Sequence, residues 1–203
     1  IMAGKLNLSI ATSFRTNFAG NCMMLLMDAY DESFSKKLIF LDFDENDITA
    51  VLYNFIDKNP KRESYSISVN TENHLFDNSK VIEKGFAAKF ARIDMRFVSF
   101  WEAKEYKYYL EAKNLKVNDS SLKRRYIDTG INNFLPNGKY YECDGLLVGY
   151  ILEGTCYECK DGINKLLIKD CRNKEVIKTL NETFYISRHG NKELIHVFLT
   201  YVK

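Results

Sequence analysis

ARIDMRFVSFWEAKEYKYYLEAKNL, residues Ala91 to Leu115, contains two runs in which apolar and polar side chains alternate. From Phe90 to Phe97 the apolar positions are Ala91, Ile93, Met95 and Phe97, and Arg92, Asp94 and Arg96 fall between them. From Tyr106 to Lys113, one face carries Tyr106, Tyr108, Leu110 and Ala112, and the other carries Lys107, Tyr109, Glu111 and Lys113. A period of two is the pattern of half-buried strands. Successive side chains point to opposite faces of a strand, so Glu111 and Lys113 share a direction. Val98 to Glu105 is long enough for a turn, and a hairpin would bring Asp94 to the same cleft.

Working outward, residues 14–30 read as a helix with Phe18, Cys22, Leu25, Leu26 and Ala29 on one stripe, within a helical extension over about 1–36. Lys37 to Phe43 reads as a short strand, followed by a helix from Ile48 to Ile56 with Asp47 as N-cap. Tyr65 to Val69 reads as a strand. After the hairpin, Ser120 or Ser121 caps a helix to about Leu135, and Pro136-Asn137-Gly138 ends it. Leu146 to Leu152 is apolar on both faces, as a central strand should be. A helix over 156–171 and strands at Thr183–Ser187 and Leu194–Val202 complete the chain. The expected class is α/β, a mixed β-sheet flanked by helices, forming one domain over 1–203. The 121–135 helix should act as a crossover between two parallel strands.

Asp94, Glu111 and Lys113 suit one kind of chemistry. Two carboxylates can hold Mg²⁺ or Mn²⁺, hard cations that prefer oxygen ligands and keep several waters. Such a metal lowers the pKa of a bound water and offsets charge on an attacked phosphate. A lysine beside that water can orient it or help remove its proton. The same Glu-x-Lys triplet also occurs on exposed strands as a solvated face or a weak ion pair.

An aspartate followed by Glu-x-Lys on consecutive strands resembles the PD-(D/E)xK nuclease superfamily, the restriction-endonuclease-like fold. The helical segment with Tyr126, Gly130 and Phe134 and the strand Gly145–Leu152 continue the likeness, which spans roughly residues 40–203 and is similar to bacterial restriction-endonuclease-like proteins. Ile93 stands where the motif has proline, so the specificity rests on Asp94, Glu111 and Lys113. The resemblance implies a restriction-endonuclease-like core and a Mg²⁺-dependent endonuclease acting on DNA or RNA. It also implies a role in defence against foreign DNA, as a homodimer or with a partner subunit. A further acid often comes from the first core helix in such nucleases, which makes Glu45 and Glu72 candidates. An alternative on the same fold is a catalytically inactive nucleic-acid-binding or assembly module.

Composition is compatible with these readings. At 203 residues the chain can bury a sizeable core, and 46% hydrophobic content with only two prolines argues against widespread disorder. A net charge of +2 leaves any nucleic-acid contact to local basic groups. Candidates are Lys58, Lys61 and Arg62, the run Lys123-Arg124-Arg125, and His189 or His196 as phosphate contacts. No apolar run approaches a membrane span, so a cytoplasmic protein without membrane contact is the expectation.

Five cysteines, an odd number, do not suggest a secreted disulfide framework. Cys156 and Cys159 have zinc-ligand spacing between Cys143 and Cys171, yet on a helix they line one face, so reduced thiols are expected rather than structural zinc. Leu38 to Asp44 also resembles the Asp-x-Asp motif of haloacid-dehalogenase-like phosphatases, with Asp42 as nucleophile and Asp44 two residues on. Glu45-Asn46-Asp47 departs from the Gly-Thr that should follow there.

Overall fold

A computed structural model of the protein describes residues 8–75 and 91–202, without the side chains of 8, 72–75 and 91. The two alternating runs form a long hairpin, β2 (Ala91–Trp101) and β3 (Lys104–Lys116), paired antiparallel from Trp101↔Lys104 to Met95↔Leu110. The connection is shorter than the sequence suggests. Glu102 and Ala103 make the turn alone, both with positive φ (46° and 60°), the combination that matches the twist of paired strands.

The hairpin lies within a seven-stranded mixed sheet of order β1-β2-β3-β4-β7-β6-β5. The remaining strands are β1 (Ser68–Leu75), β4 (Gly145–Glu153), β5 (Lys178–Thr179), β6 (Phe184–His189) and β7 (Lys192–Thr200). β3, β4 and β7 run parallel, and the other pairs are antiparallel. The parallel β3–β4 pair is joined by the expected crossover. β4 is buried on both faces from Leu146 to Leu152, which accounts for its unbroken apolar run.

Helices cover both faces. On one, α1 (Leu8–Ser35) and α2 (Glu45–Lys58) bury Phe18, Leu25, Leu26, Ile48, Leu52 and Ile56 against Met95, Leu110, Val148 and Leu199. The α1 stripe is therefore part of the main core. On the other, α4 (Ser120–Arg125) and α5 (Cys156–Lys169) enclose Tyr126, Ile131, Leu147, Ile163, Leu167 and Phe198. A short α3 (Pro60–Ser64) leads into β1. None of the described helices is long and apolar enough to cross a membrane.

Several expected boundaries move. Lys37–Phe43 is a loop of turns rather than a strand, with Leu38, Phe40 and Leu41 exposed. Its apolar residues therefore do not report sheet burial, and Asp42 and Asp44 do not end a strand as a phosphatase nucleophile motif would require. Asp44, rather than Asp47, caps α2 through a reciprocal pair: the Asp47 amide donates to Asp44 at 2.9 Å and the Asp44 amide to Asp47 at 3.3 Å. β1 starts at Ser68 instead of Tyr65. The helix expected over 121–135 stops being α-helical at Arg125. It continues as a π-turn at Tyr126–Gly130 and a 3₁₀ turn at Ile131–Phe134, and its N-cap is Asp119.

Candidate active site

β3 positions Glu111 and Lys113 on one face near its C-terminal end, both about 5% exposed. The Lys113 ammonium donates to Glu111 Oε1 at 2.6 Å and to the Ala112 carbonyl at 2.7 Å. Burial is the largest influence on Glu111, and the nearby Asp94 charge adds to it. Together they outweigh the attraction of Lys113 and push the Glu111 pKa up to about 7. Glu111 Oε2 is buried without a hydrogen-bond partner among the described residues. The Tyr140 hydroxyl, which donates to the Arg92 carbonyl, also stands at hydrogen-bonding range of this carboxylate and works to lower its pKa.

Asp94 lies where β2 and β3 part. The backbone ladder between them ends at Met95↔Leu110, and beyond it Asp94 Oδ2 accepts from the Ala112 amide at 2.7 Å. A side chain thus takes over from the strand as acceptor. Ile93 packs in one core layer, and Met95 and Phe97 pack in the other, so the strict alternation of the sequence breaks here. Burial raises the Asp94 pKa, opposed by the Lys113 charge and by the Ala112 amide. The mutual influence of Asp94, Glu111 and Lys113 places all three in one electrostatic neighbourhood.

Asp94 and Lys113 open onto a cleft of about 550 Å³ between the start of α2 and α4, also lined by Glu45, Asn114, Lys116 and Arg125. A smaller cleft of about 330 Å³, lined by Thr49, Tyr53 and Thr71, reaches Asp94 from the other side of α2. Glu45, the first residue of α2, enters the larger cleft. It accepts from the Asn114 amide at 2.9 Å and from Arg125 at 2.7 Å. Asn114 in turn donates to the Phe43 carbonyl at 3.0 Å, tying the loop before α2 to β3. Glu72 falls within β1, and its side chain lies outside the described residues.

The other candidates separate. In the basic run only Arg125 faces the cleft. Lys123 donates to the Val117 carbonyl at 2.7 Å, and Arg124 pairs with Asp170. Lys61 pairs with Asp28, and Arg62 donates to the Asp57 and Ile67 carbonyls. The sequence suggests His189 and His196 as phosphate contacts, but both are buried and committed. His189 bridges Glu175 and Ser187 (2.7 Å to Ser187), and His196 bridges Ser187 at 2.7 Å and Tyr126 at 2.9 Å. Burial holds His196 neutral, with its pKa lowered to about 3. The cysteines are free thiols. Cys156 shares a hydrogen bond with the Tyr185 hydroxyl at 3.1 Å, and Cys159 is sealed in the α5 core.

Asn114 and Tyr140 join the site without having been marked by the sequence motif. Asn114 adjoins the Glu-x-Lys triplet, so its nearness is a readable signal. Tyr140 arrives from a turn after the crossover, and no local pattern marks it. The chain matches no protein-family model, no curated protein and no solved structure.

The donor set suits a hard divalent cation. Among the described residues no three His, Cys, Asp or Glu side chains converge as a ready-made metal cage. An ion here would rest on two carboxylates, Asp94 and Glu111, with the Ala112 carbonyl beside them and water completing the shell. That oxygen-only, water-rich arrangement is how Mg²⁺ is usually held. Glu111 Oε2, buried and outside the Lys113 contact, is an oxygen that such an ion could take.

Proposed function

We propose that this protein is a metal-dependent nuclease that hydrolyses phosphodiester bonds in DNA or RNA. The observation that carries the reading is the buried Glu111–Lys113 pair beside Asp94 at the splayed end of a strand pair, with Lys113 and Asp94 lining a cleft. Asp94 and Glu111 would hold Mg²⁺ or Mn²⁺, which when bound supplies charge neutralisation and an acidified water. Lys113 orients the attacking water with its protons. Asp94 is kept in position by the Ala112 amide, and Glu45 is fixed by Asn114 and Arg125 at the cleft wall. Arg125 and Lys116 line the same cleft, where cations favour a polyanionic strand. The antiparallel β1-β2-β3 followed by parallel β4 is taken as support for the restriction-endonuclease-like core that the resemblance implies. A role in defence against foreign DNA follows from that likeness.

A specific observation favours a second reading, a non-catalytic nucleic-acid-binding or assembly module: the Lys113 ammonium is already engaged by Glu111 Oε1 and the Ala112 carbonyl. One experiment separates the two. Plasmid DNA, single-stranded DNA and RNA are incubated with Mg²⁺ or Mn²⁺ and wild type, Glu111→Ala or Lys113→Ala. The nuclease reading expects metal-dependent cutting that falls at least about a hundredfold in each variant, as loss of a proton-handling group typically does. Cutting that survives both substitutions overturns it. Nucleic-acid binding without cutting in wild type supports the module.

A further inference from the structure

We infer that Lys113 is a tethered cation occupying the metal position in the metal-free protein, so that divalent metal and the Lys113 ammonium compete for Glu111. The inference rests on the nuclease reading, and it adds a regulation of that site which the reading does not require.

The geometry is that of a cation in a partial oxygen shell. Nζ lies 2.6 Å from Glu111 Oε1 and 2.7 Å from the Ala112 carbonyl. Asp94, the other carboxylate, acts on the same ammonium electrostatically. These oxygens are the ones a divalent ion would take. Both side chains of the pair are buried, so the attraction between them is little screened by solvent. Yet the shell is incomplete: Glu111 Oε2 has no partner among the described residues. The ammonium engages only one of the two carboxylate oxygens, Oε1. A divalent ion with its waters would satisfy both.

A divalent ion that takes Glu111 Oε1 and the Ala112 carbonyl takes the two oxygens that hold the ammonium, and the two cations repel across the buried carboxylate, so metal entry there displaces Lys113. The structure gives it somewhere to go. Lys113 also lines the 550 Å³ cleft, and its four-carbon stem can swing the ammonium out into that cleft. In this picture the lysine has two stations. It plugs the site when metal is absent and stands beside the metal's water when metal is present.

Metal binding by the full chain tests this directly, without any cleavage readout. Mn²⁺ is titrated into wild type, Lys113→Met and Lys113→Arg, and free Mn²⁺ is followed by electron paramagnetic resonance. Removing the tethered charge at similar length should tighten Mn²⁺ binding by roughly tenfold, within the range usual for coupled sites, while Lys113→Arg stays near wild type. Thermal unfolding gives a second measurement: Mn²⁺ should raise the melting temperature of Lys113→Met more than that of wild type. Binding by Lys113→Met that equals or falls below wild type overturns the competition and leaves the metal-site reading standing. Absence of Mn²⁺ binding in both proteins at millimolar metal overturns the metal site itself. Binding in Lys113→Met alone is the strongest support, since the plug would then be complete in wild type.

Discussion

Replacing Glu111 with glutamine should change how stability depends on pH, and the size of that change follows from the burial of this side chain. In the fold Glu111 keeps its proton up to about pH 7, whereas an ordinary glutamate loses it at 4.5. Its folded pKa is the higher one, so its contribution is fully present below 4.5 and is lost as the pH rises through about 7. The interval from 4.5 to about 7, at about 1.4 kcal/mol per pH unit, makes that loss about 3 kcal/mol. The amide of the Glu111→Gln variant cannot ionise and avoids it. Urea unfolding of both proteins, with EDTA present, is compared at about pH 4 and about pH 8, either side of the interval over which the contribution is lost. The stability of the variant relative to wild type should rise by about 3 kcal/mol between those values, or about 6–12 °C in melting temperature for a chain this long. The variant also withdraws a partner from Lys113, which displaces its whole curve, so only the change with pH is informative. A difference that stays flat would show that Glu111 is ionised throughout and that Lys113, rather than burial, sets its charge.

Three further outcomes are expected. Glu102→Asn with Ala103→Gly suits the two positive-φ turn positions and should raise the melting temperature by about 2–4 °C, equivalent to about 1 kcal/mol; no gain would refute the turn. Gly149→Ala puts a methyl carbon 2.6 Å from both Leu115 and Phe198 in the middle of β4, and should cost about 1–3 kcal/mol in urea unfolding. His196 is held neutral in the fold, so wild type should lose stability as the pH falls below 6.5, by about 1.4 kcal/mol per pH unit from this residue, and His196→Gln should flatten that slope in acid titrations followed by circular dichroism.

Local periodicity made the hairpin, α1 and β4 legible, because each buries a regular stripe or a continuous run. It failed at Lys37–Phe43, where exposed Leu38, Phe40 and Leu41 imitate a buried strand. It also failed past Arg125, since a helical pattern cannot reveal the register change that produces a π-turn. At the candidate site, strand parity put Glu111 and Lys113 together. Asp94 reaches them for a different reason: the strand pair opens there, and parity alone does not foresee an opening. Glu45 comes near because Asp44 starts α2 earlier than expected. His189 looks available in the sequence because a sequence does not show that Glu175 and Ser187 fold onto its two nitrogens.

Ala112 has one more consequence. Its amide is held by Asp94 and its carbonyl by Lys113, so a single residue without a functional side chain touches both halves of the site. Any ion that draws Asp94 Oδ2 away must alter the electronic surroundings of this peptide nitrogen, and any that displaces the ammonium must alter those of the Ala112 carbonyl carbon. A single ¹⁵N label at Ala112 therefore acts as a resident spectroscopic probe, able to register the arrival of a cation in a protein that has never been offered a substrate.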